Sequence, residues 1–142
     1  MDAKRLTGGL VGGLAGGVLF GIMMQMMGMI GMVAGLVGHD SAGVGWIVHL
    51  GISLLFGLGY GLIFGSASTS WGRAVGFGAI YGLAWWVLGA LLIMPAWLGM
   101  PVFQVGTPQV QSLVGHLVYG IALGLVFHAL VQARAAGIPS RA

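Results

Sequence analysis

Four stretches of the chain, residues 8–38, 44–64, 74–94 and 110–132, hold no Asp, Glu, Lys or Arg and consist mainly of apolar residues and glycine. Each reaches or exceeds the roughly 20 residues that, at about 1.5 Å per residue, cross some 30 Å of hydrocarbon. The pattern predicts an all-α integral membrane protein whose four transmembrane helices pack as a glycine-rich bundle. At 31 residues the first stretch is longer than a bilayer requires. It is expected to tilt, to bend at its glycines or to project beyond the membrane.

The few charges orient the spans. Lys4 and Arg5 precede the first, Arg73 lies between the second and third, and Arg134 and Arg141 follow the fourth, whereas the other two connections carry only Asp40. The positive-inside rule therefore predicts that both termini and the middle loop are cytoplasmic. The apolar run after Lys4 and Arg5 is about twice as long as the core of a secretory signal, which reads as a retained first helix. With 58% apolar and 5% charged residues in 142, a single transmembrane domain spanning 1–142 uses nearly the whole chain. The net charge of +3 comes from scattered residues rather than a patch, which suits anchoring to anionic headgroups and not nucleic acid. Absence of cysteine excludes disulfides, thiolate metal ligands and cysteine nucleophiles.

The chain also reads as a tandem repeat of a two-helix hairpin. Placing His49 on His116 brings Leu50 onto Leu117, Gly57 onto Gly124, Leu58 onto Leu125 and Tyr60 onto Phe127, a shared H-L-x6-G-L-x-[YF] pattern. With an offset one residue larger, Arg5 meets Arg73, Gly8 meets Gly76, Gly21 meets Gly89 and Met32 meets Met100. Successive hairpins of like orientation place their pseudo-twofold axis along the membrane normal, so His49 and His116 are expected at matching depth. Ser41 and Thr107-Pro108 read as helix starts on the outer side.

Small residues four apart recur in every span, including Gly8, Gly12 and Gly16; Gly57 and Gly61; Gly78 and Gly82; and Gly120 and Gly124. Lipid offers helices no hydrophobic reason to associate, so such grooves supply close backbone contact instead. Packing within the chain is the simpler reading, and contact with other membrane subunits or self-association the alternative. Trp46, Trp97 and Trp71 fall at span ends, as in an interfacial aromatic belt, while Trp85 and Trp86 lie mid-span and read as packing residues.

The histidines are the main candidates for chemistry. His49 shares a helical face with Ser53, Phe56 and Tyr60, and His116 shares one with Gly120, Leu123 and Phe127. A polar group within a span is costly unless paired, so the two histidines are expected to bond each other, Ser53, Tyr119, water or a ligand. One alternative is b-type haem ligation by His49 and His116, with Gly57 and Gly120 making room. Another is a Cu(I) site of His49, His116, Met32 and Met100, two imidazoles with two thioethers. The other methionines of the first span spread around the helix and read as gap fillers. His39 and Asp40 read as a solvated loop pair, and no paired carboxylates, H-E-x-x-H, G-x-S-x-G or phosphate-binding motif occurs.

Gly38-His39 through Val48-His49, Met94-Pro95 with Gly99, and Gly115-His116-Leu117-Val118 together resemble the YagU-like family of bacterial inner-membrane proteins. The resemblance covers about the last hundred residues and not the Met- and Gly-rich N-terminal helix. It implies a small polytopic protein of the cytoplasmic membrane and brings no activity, cofactor or catalytic residue. The expected function is a non-enzymatic accessory or assembly subunit, with a permeation unit lined by His49, Ser53 and His116 as the second class.

Overall fold

The computed structural model describes residues 2–136, with side chains through 131; Arg141 and the Arg134 side chain lie outside what is described. Helix α1 spans Ala3–Met26, a short α2 spans Ile30–Ala34 and continues as a single 3-10 turn, Gly35–Val37, and α3 spans Ala42–Ile63. Helix α4 runs Trp71–Trp97 and α5 Thr107–Ala136. Four of these, α1, α3, α4 and α5, are long and apolar enough to cross a membrane, and together they form an all-α bundle. One connection, residues 64–70, lies at the end that carries Arg5 and Arg73, here the basic end, and the other two, α2 with its flanking turns and the 98–106 loop, lie at the opposite end.

The first apolar stretch is not one helix. Gly28 adopts φ 69° and Gly38 φ 75°, left-handed conformations that glycine reaches without steric cost, so the chain turns after α1 and lays α2 across the end of α3. There the Ile30 carbonyl stands where a side chain at Gly45 would sit. The third span also exceeds the expected 74–94. Its stretch Trp86–Ile93 widens to a π-helix just before Pro95. Proline has no N–H, so one carbonyl of the preceding turn loses its helical donor. The Phe103 N–H bonds the Leu91 carbonyl at 2.7 Å, drawing the 98–106 loop back over α4 and holding Phe103 at φ 54°.

Side chains start the helices. Asp2, Ser41 and Ser70 accept from the N–H groups of Lys4, Val44 and Arg73 at 3.0, 3.2 and 3.3 Å. Thr107, the expected cap, is itself helical, so this helix starts one residue earlier than expected, and Gln109 reaches back to the Gly106 N–H at 3.0 Å.

Glycine doublets make α1 the central helix. Gly8, Gly12 and Gly16 face α5, where side chains there would meet Phe127 and the carbonyls of Leu123 and Tyr119. One residue on, about 100° around the helix, Gly9, Gly13 and Gly17 face the Gly57 and Ser53 carbonyls and the Ser53 side chain of α3. The far side of α5 meets α4 the same way, Gly78 and Gly82 against the carbonyls of Gly120 and His116. Gly61 abuts the Arg5 carbonyl and Gly124 that of Ala74. The recurrent glycines are thus consumed inside the chain. Leu10, Leu14, Ile47, Leu55 and Leu62 face outward; Leu125 is only half exposed.

The hairpins repeat in a different register from the expected one for their first helices. Gly13 packs on Ser53 and Gly57, and Gly78 packs on Gly120, the counterpart of Ser53. Contact therefore equates Gly13 with Gly78 and Gly17 with Gly82. Gly8 and Gly76 are unlike, the first buried on Phe127 and the second in open space.

Candidate functional site

The fourth pair of neighbouring helices, α3 and α4, meets through side chains rather than glycine. From the basic end, Phe64 stacks on Phe77 at 5.1 Å, Tyr60 meets Tyr81 at 5.5 Å and Phe56 stacks on Trp85 at 3.6 Å. Positions advance four residues per rung on each helix, one turn, so the next rung is Ile52 with Gly89. Glycine supplies no side chain there, and nothing stands within 4 Å of where its Cβ would be. A cavity of about 420 Å³ begins at this gap and runs toward the end opposite the basic one. This is within the size range of small-molecule sites.

Its wall is apolar, with Phe20, Phe56 and Trp85 among the aromatics and Met24, Met29, Met32, Met94 and Met100 giving five thioethers. Polar groups collect at its inner part: His49, Ser53, Ser112, His116 and Tyr119. Below them Tyr60, Leu123 and Phe127 are fully buried and close the bundle toward the basic end.

The structure brings His49 and His116 together on one ring. Phe20, which takes the next four-residue step after Gly8, Gly12 and Gly16 on α1, sits edge-on to both, 5.4 Å from His49 and 4.8 Å from His116 between centroids. Gly115 leaves the room for it. The imidazoles do not bond one another. His49 Nε2 donates to the Gly17 carbonyl at 2.8 Å, and His116 Nδ1 donates to the Ser112 carbonyl at 2.8 Å with Ser112 Oγ at 3.2 Å. A carbonyl only accepts, so each neutral ring carries its proton on that nitrogen. Ser53 Oγ donates to the His49 carbonyl and Tyr119 to the Ser53 carbonyl, both at 2.7 Å.

Other candidates are accounted for locally. His128 lies outside the cavity, buried, its Nδ1 donating to the Ser68 carbonyl at 2.9 Å, while Tyr60 bonds Ser68 Oγ at 2.9 Å. Ser68 thereby ties the 64–70 loop to α3 and α5. Trp86 donates to the Gln109 carbonyl at 2.8 Å and Trp97 to the Leu36 carbonyl at 3.1 Å. His39 and Asp40 are exposed.

Two ligand sets expected from sequence fit less well. Haem held by both imidazoles would have to lie between His49 and His116, where Phe20 already stands against both rings, so these residues do not fit that group. Met32 and Met100 do line the cavity but are 42% and 46% exposed, whereas His49 is buried more than a turn below the level where Ile30 meets Gly45. Comparison with protein-family models, with curated proteins and with solved structures finds no match.

Proposed function

We propose that this multi-pass membrane protein is a non-enzymatic accessory subunit that holds a small, largely apolar molecule in the cavity beside Phe20. The observation that carries the reading is the cavity between α3 and α4, which opens where the aromatic ladder lapses at Gly89 and ends on the His49–His116 group. Among the described residues its wall has imidazoles, hydroxyls and carboxamides but no carboxylate, amine or thiol, which favours binding over catalysis. A permeation path through the bundle is disfavoured because Tyr60, Leu123 and Phe127 fill the continuation toward the basic end.

The basic residues near Arg5 and Arg73 support a cytoplasmic position for that end, which turns the cavity toward the outer half of the inner membrane. Kinship with the YagU-like family is part of this proposal and rests on the histidine and glycine strings alone. Orientation is testable because the chain has no cysteine. A cysteine at Gln104 should label from outside intact cells and one at Ser70 should not; the reverse pattern would overturn the orientation.

For binding, protein purified in mild detergent is extracted with organic solvent and the extract compared by mass spectrometry with that of Gly89→Phe, whose new ring enters the cavity. A stoichiometric molecule present in the first and lost from the second is expected. Identical extracts would sink the reading.

A further inference from the structure

We propose that the cavity selects an aromatic molecule bearing two hydroxyl groups, which donate hydrogen bonds to His49 Nδ1 and His116 Nε2. The inference rests on the binding reading above and names its ligand class. Its basis is the direction in which the polar groups are already committed. Because His49 Nε2 and His116 Nδ1 donate to the Gly17 and Ser112 carbonyls, the opposite nitrogen of each ring is a bare acceptor. Among the described residues neither of those nitrogens has a hydrogen-bond partner, and no sealed side-chain nitrogen or oxygen lacks one. Both are therefore reachable, and both rings line the cavity. Two neighbouring hydroxyls have also spent their protons, Ser53 on the His49 carbonyl and Tyr119 on the Ser53 carbonyl, leaving lone pairs.

Four of the five polar side chains at the deep end thus offer acceptors, the Ser112 hydroxyl alone keeping its proton, and a ligand that offers only carbonyl or ether oxygens leaves both imidazoles unmatched. One with two O–H groups pairs both imidazoles and removes the cost of leaving them bare in an apolar site. The wall specifies the rest of the molecule. Phe20, Phe56 and Trp85 offer ring faces and edges, and thioether sulfur of the kind supplied by Met24, Met29 and Met94 packs well on aromatic edges. A volume of about 420 Å³ suits a one- or two-ring molecule and is far more than a bare cation fills.

The test uses the full chain in detergent, in oxygen-free buffer, titrated calorimetrically with menadiol, its dimethyl ether and menadione, three probes sharing one ring system. Menadiol should bind about tenfold or more tighter than either of the others, the worth of one to two hydrogen bonds. Equal affinity for all three would overturn the donor requirement and leave the apolar cavity standing. Binding by none, together with an extract free of any retained molecule, would remove the cavity reading as well. In His49→Leu and His116→Leu the preference for menadiol should shrink, and its persistence in both would show that the imidazoles are not the acceptors. Should either variant fail to fold, the comparison of probes on the unaltered chain still decides. Cu(I) added alone provides the last arm: one tightly held equivalent that expels menadiol would overturn the proposal in favour of a soft-metal site.

Discussion

The seam between α1 and α5 and the seam between α3 and α4 are the two places where one hairpin meets the other, yet they are built in opposite ways. On the first, Gly8, Gly12 and Gly16 let α1 settle onto Phe127, Leu123 and Tyr119, after which Phe20 abruptly adds bulk. On the second, Phe77, Tyr81 and Trp85 hold α4 away from α3, after which Gly89 abruptly removes it. Each seam changes size partway along, and the two do so in opposite senses. Where α1 and α5 become wide α3 and α4 become empty, and the cavity with its two imidazoles lies between those changes. In lipid, where burial of apolar surface gives no net drive, contact distance alone decides which helices hold and which leave space.

The largest break in this comparison comes from the narrow side. Leucine at Gly13 would collide with the Ser53 carbonyl and the Gly57 backbone, which cannot yield without separating α1 from α3. Gly13→Leu should therefore cost about 3 kcal/mol or abolish folded protein. Gly51→Leu adds the same side chain where nothing stands within 4 Å and should be close to neutral. Thermal unfolding in detergent measures both, and equal losses would mean that helix propensity and not close approach sets the damage.

The wide side should fail more gradually. Trp85→Ala removes the last rung and enlarges the cavity, at a cost of about 3 kcal/mol for the lost packing. Phe56→Ala should share part of that loss, with a coupling of about 1 kcal/mol in a double-mutant cycle, since the rings stack at 3.6 Å. Additive losses would show that each ring packs independently on its surroundings.

How far the two seams could be read in advance differs for a physical reason. Charge-free length marks the four spans; glycine spacing marks small residues on a helix face without naming the neighbour, and in the bundle Gly12, Gly16, Gly57, Gly61, Gly78, Gly82, Gly120 and Gly124 each lie against another helix. The second stripe, Gly9, Gly13 and Gly17, was equally present in the G-G-x-x-G-G-x-x-G-G run and marks a helix gripped from two sides. The convergence of His49 and His116 followed from their shared pattern, but their carbonyl partners did not, because Gly17 and Ser112 offer backbone atoms that carry no residue signature. Gly89 was also opaque. A glycine that makes contact and one that leaves a hole look alike until the opposite helix is in place.

A smaller effect tests the basic end, where both seams are closed. His128→Ala leaves the Ser68 carbonyl without its donor and frees the 64–70 loop from α5, while Tyr60 still holds Ser68 Oγ. A loss of about 1 to 2 kcal/mol is expected. Amide exchange in residues 64–70 should quicken while that of α2 stays unchanged. Quickened exchange at both ends would mean that His128 supports the whole bundle.

The smallest expected change is a gain. Gly89 lies within the π-helical turn of α4 with open space at its Cβ, so phenylalanine there meets no backbone and continues the ladder Phe77, Tyr81, Trp85 by one rung opposite Ile52. Replacing an interior helical glycine relieves up to about 1 kcal/mol of backbone cost. The added ring gains dispersion contacts with the walls of what is now a gap. Gly89→Phe should therefore melt at or slightly above the unaltered protein while losing its bound molecule, which separates stability from binding in one variant. A clear fall in melting temperature would show that the π-helical turn, and not a missing side chain, is what keeps α3 and α4 apart, and that the two seams differ in backbone geometry before they differ in residue size.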